Sequence, residues 1–330
     1  MEFIGIGDLH LTDATEKGGL SEYIRDHDDM VRREVEKVKA YARKEGVTRI
    51  IQYGDVFEGP RASYSGMLSL LDMLTEDDIE WTFILGNHDK FAEDSALGHS
   101  LELLQRWRLA HVKVITKPRR VSLGKSALNF MPWPCVDFVG DALNVAHVDV
   151  EGAMRDNGRV TKSAVKHQGR SVIGHIHTHQ EVGRGRNVAH YSGTLYQTNF
   201  GESPEKFFHH ARWDGGWEIE SVAHQPDYKL TTLEVSTPKD LRQIDTDPNH
   251  LYKLKVLNAK ALTTADYGSN VVRVTPVSAK GEEIELDPAS AGEAVELDPD
   301  EFFESWVNRQ SVGKAQKAAA IQLRKEMLCR

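Results

Sequence analysis

Short apolar runs alternate with charged, amphipathic ones through the first two hundred residues. Runs of β type occur near Phe3–Ile6, Arg49–Tyr53 and Trp81–Leu85. Further runs follow near Val112–Ile115, Ala127–Phe130, Leu143–Ala146 and Ser171–Ile173. Between the first two, Val31, Val35, Val38 and Ala42 recur at helical spacing, which predicts a charged helix over about Tyr23–Lys44. Strand–helix–strand alternation predicts an α/β domain. From Val188 the pattern changes to hairpin-like pieces, "NVAHYSGT", "KFFHHARW" and "GWEIESVA", and "VGRGRN" predicts a hairpin loop. Past Pro226–Lys229, "LTTLEV", "LYKLKVL" and "NVVRVTPV" with a short helix "TPKDLRQI" predict a small α+β unit over 229–280. Residues 281–297 read as an acidic linker and 298–330 as a helical appendage. That appendage opens with Asp298 as N-cap, Pro299 at the first helical position and Glu301 three residues after the cap. The motif-bearing part is thus expected to be 1–228.

Composition adds few constraints. The chain has 330 residues, 40% of them hydrophobic and 28% charged, as in ordinary globular proteins. No apolar run approaches the roughly 20 residues of a membrane-spanning helix. The opening "MEFIGIGDLH" enters an alternating apolar segment at once, without the pattern of a secretory signal. With Cys135 and Cys329 far apart, a reduced, cytoplasmic setting without disulfides is expected, the host cytoplasm if the source is viral. The net charge of −9 is carried by 281–301, which holds nine acidic residues and no basic one. The remainder is balanced, so the acidic pI argues neither for nor against a polyanionic substrate.

The candidate chemistry lies where the β runs stop. The first ends in "GDLH" (Asp8, His10), the second in "GDVFEG" (Asp55) and the third in "GNHD" (Asn87, His88, Asp89). Later ones end in "AHVD" (His147) and in "GHIHTH" (His175, His177, His179). In open α/β sheets the ligand site lies beyond the carboxyl ends of the strands. If 175–179 were an extended strand, its three imidazoles would share one side, as a solvated edge or as the lip of a metal site. Carboxylate, amide and imidazole donors without thiolate suit manganese, iron or zinc. The donors exceed what one ion needs. Two ions about 3.5–4 Å apart, sharing a carboxylate, clamp both ends of an in-line phosphoryl displacement. A hydroxide held between them would be the nucleophile.

In the order GDxH, GD, GNHD, H, GHxH, these motifs resemble those of the calcineurin-like metallophosphoesterases. The resemblance implies that family's α/β/β/α sandwich, here with a small α+β capping domain and a C-terminal helical appendage. It implies Asp8 and His10 on a first ion, Asp55 bridging, and Asn87, His147 and His175 on a second, with His177 returning to the first. His88 would stand over the scissile phosphate as a transition-state stabiliser or proton donor, supported by Asp89. His179 would be the spare imidazole.

Within that family, "HYSGTLYQTNFGESPEKFF" and "PWPC" resemble segments of SbcD-type DNA nuclease subunits, and the layout is similar to that of shorter bacteriophage recombination nucleases. Glu58 departs from the aspartate common there. The resemblance implies manganese-dependent DNA cleavage (magnesium or another divalent ion being the alternative), 3′-to-5′ on ends and endonucleolytic on single strands or hairpins. It also implies a homodimer, a recombination or repair role and an SbcC-type coiled-coil ATPase partner. The chain carries no GxxxxGK[ST] phosphate loop of its own. Phe302, Phe303 and Trp306 are the candidates for gripping that partner; the alternative is that they pack on their own domain. Arg184 and Arg186, beside the metal histidines in sequence, are the candidates for DNA backbone contact, against solvated loop charges. The competing functions are a small-molecule or cyclic-nucleotide phosphodiesterase and a non-catalytic DNA-end-binding subunit.

Overall fold

A computed structural model describes residues 1–12, 19–75, 78–91, 98–155, 158–161, 165–237, 239–257 and 268–277. The predicted linker and appendage, with Phe302, Phe303 and Trp306, lie outside the described residues.

Strands β1 (Glu2–Ile6), β2 (Arg49–Gln52), β3 (Glu80–Ile84) and β4 (Val112–Ile115) are joined through helices α1 (His27–Glu45), α2 (Tyr64–Leu74) and α3 (Glu102–Trp107). They form four of the six strands of a first sheet, all parallel to one another. A second sheet takes β5 (Arg119–Leu123), β6 (Ser126–Met131), β7 (Leu143–His147), β8 (Arg170–Gly174), β9 (Gln180–Arg184) and β10 (Asn187–Tyr191). Strands β11 (Lys206–Trp213) and β12 (Trp217–His224) return to the first sheet, giving the order β12-β11-β1-β2-β3-β4 against β5-β6-β7-β8-β10-β9. Strands β13 (Lys229–Val235), β14 (His250–Val256) and β15 (Val271–Pro276) make a small parallel third sheet. The segment predicted as a short helix there is a 3₁₀ turn, Asp240–Gln243.

The two large sheets face each other across one core, with Phe3, Ile51, Tyr53 and Ile84 meeting Leu128, Phe130, Val145 and Val172. The outer face of the first sheet is covered by α1 and α2, where Val31, Val35 and Val38 are fully buried. Each of those valines stabilises the fold by roughly 1.5–3 kcal/mol. The outer face of the second sheet (Met131, Ala146, Ile173, Tyr191) is covered by Val150, Ala153 and Ile176 from loops, without a helix among the described residues.

Helix α1 starts four residues later than its apolar spacing suggests. Leu20–Glu22 forms a 3₁₀ turn instead, pinned by Leu20 N–H to the Thr198 carbonyl at 2.7 Å. The helix ends where Gly46 takes a left-handed φ of 74° and its N–H reaches the Ala42 and Arg43 carbonyls. Helix α2 is capped by Ser63, whose hydroxyl accepts from Gly66 N–H at 3.0 Å.

Candidate metal centre

Strands β1, β2, β3, β7 and β8 end at one edge, where the carboxyl ends of the two sheets meet. This brings Asp8, His10 and His177 within ligating reach of one another, and likewise Asp55, His147 and His175. Asn87 joins the second group through its Oδ1, 2.9 Å from His147 Nε2. Glycine is required where the sheets close on the site. A Cβ on Gly86 would stand 2.1 Å from Asp55 Oδ1, and one on Gly174 would stand 2.5 Å from the Tyr53 carbonyl and 2.7 Å from Asp8 Oδ1. Among the described residues, three of the four non-glycine residues with positive φ are His10 (48°), Asp55 (55°) and His175 (86°), so backbone strain concentrates at the site.

The donors converge in a way that calls for positive charge between them. His147 Nδ1 lies 2.7 Å from the Tyr53 carbonyl, which can only accept, so Nδ1 carries a proton. In the neutral ring Nε2 then presents a lone pair. Yet Nε2 faces Asn87 Oδ1 at 2.9 Å and Asp55 Oδ2 at 3.1 Å, both acceptors. At the other centre His177 Nδ1 donates to Glu202 Oε1 at 2.9 Å, which turns its Nε2 toward His10 Nε2 at 3.0 Å and Asp8 Oδ2 at 3.6 Å. Only protons or cations reconcile such sets, and the mixed oxygen and imidazole donors are those of a divalent ion.

The titration behaviour of the groups says the same. Burial alone would push His147 down, but the Asp55 and Asp8 carboxylates and the Tyr53 hydrogen bond lift it to about 9. His10 is lifted to about 10 against burial by Glu58, Asp55 and Asp8. Asp55 is held below the ordinary carboxylate range, burial notwithstanding, by His147, His10 and His88. His175 is pushed down to about 4 by burial and by His147.

The expected site residues not yet placed divide. The His88 ring, 37% exposed, is held through Nδ1 by the Glu58 carbonyl at 2.7 Å. Asp89 is fully buried and does not serve that imidazole. Its carboxylate accepts from Asp55 N–H, Gly86 N–H and the Ser100 hydroxyl at 3.0, 2.9 and 2.8 Å, bracing the loops after β2 and β3 against each other. Burial and the nearby Asp55 raise it to about 6.

The 175–179 run is not a strand. β8 stops at Gly174, and the left-handed His175 breaks the alternation that would have aligned three imidazoles. His179 turns to the Tyr191 carbonyl at 2.9 Å and packs on Phe207.

Arg184 and Arg186 are also placed otherwise than their nearness in sequence suggests. The predicted hairpin exists, with Arg184 opposite Asn187 across the turn residues Gly185 and Arg186. However, β10 runs parallel to β8 with Val188 beside Arg170, so the turn lies at the start of β8 and the histidines at its end. The length of β8, roughly 13 Å at 3.3 Å per residue, separates them.

Sequence reasoning assigned no role to three acids. Glu58 lies 2.8 Å from His10 Nδ1, an ion-pair distance although off the N–H axis. Glu202 binds His177 and the buried Lys206 ammonium, the latter at 2.7 Å. Asp149 approaches His175. All three sit inside the motif-bearing segments "GDVFEG", "FGES" and "AHVD", which was the available signal.

The model of the calcineurin-like phosphoesterase family matches residues 1–242. The chain belongs to that family. The chain is similar to exonuclease subunit 1 of Enterobacteria phage T4, 26% identical over 223 residues that cover 61% of each protein. It thus spans about 61% of the length of that curated relative. Among solved structures it is similar to a dimetal phosphatase from Danio rerio, 13% identical, covering 68% of this chain and 98% of that one with a TM-score of 0.45. It is also similar to GAP50, the anchor in the inner membrane complex of Plasmodium, 14% identical, covering 68% and 84% with a TM-score of 0.43.

Proposed function

We propose that this phosphoesterase is a DNA nuclease subunit, hydrolysing phosphodiesters at DNA ends, 3′-to-5′, and within single strands or hairpins. The observation that carries the metal-dependent chemistry is the convergence of Asp8, His10 and His177, and of Asp55, His147 and His175, each set within ligating reach of one another. Asp8, His10 and His177 would hold one divalent ion and Asn87, His147 and His175 a second, with Asp55 shared; manganese is the expected metal. Such ions supply charge neutralisation on the phosphodiester and an acidified water as nucleophile.

The chain's own contribution starts with His88. Because the Glu58 carbonyl holds its Nδ1–H, the imidazolium form has its Nε2–H left to donate to the scissile phosphate and pass to the leaving oxygen, after which the ring is neutral with its proton on Nδ1. Asp89 keeps Asp55 and the Gly86 turn in register, so that the shared carboxylate and the His88 loop move as one unit. Asp55 also accepts the His88 N–H at 2.8 Å, which ties the proton donor to the ion site.

The similarity to a phage exonuclease subunit supports DNA among phosphodiesters. A recombination or repair role, an SbcC-type ATPase partner and a homodimer belong to the same reading. The exposed Tyr64 and Leu68, one helical turn apart on α2, offer a second copy an apolar surface.

The test is cleavage of end-labelled linear double-stranded and hairpin DNA by the purified chain with manganese, magnesium or EDTA, beside His88→Ala. Manganese-dependent shortening, lost in the variant, is the expected result. Turnover of bis-(p-nitrophenyl) phosphate without any DNA cleavage, even with an added ATPase partner, would move the substrate to small phosphodiesters.

A further inference from the structure

A ligating imidazole offers one nitrogen to the ion and must place the proton of the other on an acceptor. Two of the four imidazoles read here as ligands have such an acceptor hydrogen-bonded at Nδ1, His147 the Tyr53 carbonyl at 2.7 Å and His177 Glu202 at 2.9 Å. His10 has the Glu58 carboxylate 2.8 Å from Nδ1, at ion-pair distance but off the N–H axis. For His175 the candidate lies on the opposite side of the ring. Asp149 Oδ1 stands 3.6 Å from His175 Nε2.

Asp149 is built for that position. Its Oδ2 is taken by the Arg155 guanidinium and by the Thr161 hydroxyl, the latter at 3.2 Å, which fixes the carboxylate from behind. Its Oδ1 is buried and has no hydrogen-bond partner. An ionised oxygen shut away from water without a donor is costly, and the imidazole beside it has an N–H to give. His175, with 29% of its side chain exposed, has room to close the remaining gap by a ring rotation, whereas Asp149 is held on its far side.

The topology explains how the two meet. β7 and β8 are adjacent and parallel, with His147 in register with Gly174. The end of β7 therefore supplies a ligand, His147, and two residues later a carboxylate that reaches the first residue after β8. We infer that Asp149 is the positioning residue of His175: it accepts the Nε2 proton and so presents Nδ1 to the ion. His175 thereby ligates through the opposite nitrogen from His147. The inference rests on the reading of His175 as a ligand given above.

The experiment uses the full chain with ¹⁵N-labelled histidine, freed of ions, and long-range ¹H–¹⁵N correlation, which distinguishes Nδ1–H from Nε2–H tautomers; His175→Ala assigns the signal. Manganese titration calorimetry follows on the same samples. The expected result is an Nε2–H tautomer for His175 in the unmodified chain and a mixed tautomer in Asp149→Ala. One of the two ions should bind 10–100-fold more weakly in that variant. Asp149→Asn, which keeps an acceptor oxygen, should lose less. If Asp149→Ala does not fold by circular dichroism, Asp149→Asn carries the comparison: a shifted His175 signal with weakened binding supports the inference. An Nδ1–H tautomer in the unmodified chain, or a tautomer and affinity unmoved by removing Asp149, overturns it. Two ions bound with unchanged affinity by His175→Ala would overturn the ligand reading itself, and the inference with it.

Discussion

Glu202 and Lys206 form a buried ion pair one step behind His177, and separating their structural from their functional work is the most demanding test of the site. Their side chains are 0% and 2% exposed and 2.7 Å apart. Burial acts to raise the Glu202 carboxyl, but Lys206 and His177 overcome it and hold the group down at about 2, against an ordinary 4.5. Two and a half units correspond to about 3 kcal/mol. Because the folded pKa is the depressed one, that stabilisation is present above pH 4.5 and is lost as the pH falls toward 2. Glu202→Leu would leave the Lys206 ammonium with the Thr194 hydroxyl at 2.9 Å in place of its carboxylate. Removing one partner of such a pair costs about 3–5 kcal/mol, or roughly 6–20 °C in melting temperature. Thr198 and Asn199, which also donate to Glu202, are half-buried, so water can replace their lost acceptor. The double variant Glu202→Leu/Lys206→Met should therefore recover most of the stability, since no charge is left unpaired. It should not recover the metal. His177 loses its carboxylate acceptor in both variants, with the Thr198 hydroxyl 3.4 Å away as a weaker substitute, and manganese affinity at the His177 centre should fall about 10–100-fold in both. Thermal melts and calorimetric titrations on the same samples read the two quantities. Ion affinity returning together with stability in the double variant would show that Glu202 serves the fold and not the imidazole.

Other consequences of the geometry can be checked beside it. His88→Ala should lower turnover by about 10²–10⁴-fold while leaving manganese stoichiometry unchanged, since the ring is held by the Glu58 carbonyl and not by a ligand; loss of an ion in that variant would assign His88 to the metal. Gly86→Ala sets a methyl 2.1 Å from Asp55 Oδ1, so it should weaken ion binding even at temperatures where the fold persists, as titration would reveal. His10 and His147, held up at about 10 and about 9, carry protons at pH 7 that ions must displace. Ion uptake should then release about two protons and tighten as the pH rises toward 9, measured as a dependence of calorimetric heat on buffer ionisation; heats independent of the buffer would refute it. Arg184→Ala/Arg186→Ala should leave DNA cleavage and its salt dependence unchanged, because their turn lies at the far end of β8; a shallower salt slope would refute this placement.

What could be read from the chain and what could not divide along a physical line. The strands carrying Asp8, Asp55, Asn87 and His147 announce themselves through local apolar runs, and a parallel sheet delivers whatever follows such a run to its carboxyl edge. That logic holds as long as the chain keeps running in the same direction. It fails for Arg184 and Arg186, because five residues of β9 after the histidines carry the hairpin turn back across the sheet, so that closeness in sequence becomes distance in space. It fails for His179 at a single residue: His175 adopts a φ of 86°, which period-two reasoning does not foresee in a non-glycine residue, and the third imidazole is turned away. The acids that orient the histidines are invisible for a different reason. Glu202 lies 25 residues from His177 and Asp149 lies 26 from His175, on the neighbouring strand end, and neither spacing has a period. Glu58 could be singled out only as an unusual residue in a familiar motif. Its place is beside both His10 and His88: its backbone carbonyl holds one imidazole while its side chain reaches the other. The candidate ligands are thus legible because strands place them, whereas the acids beside them emerge only when two strand ends are brought side by side.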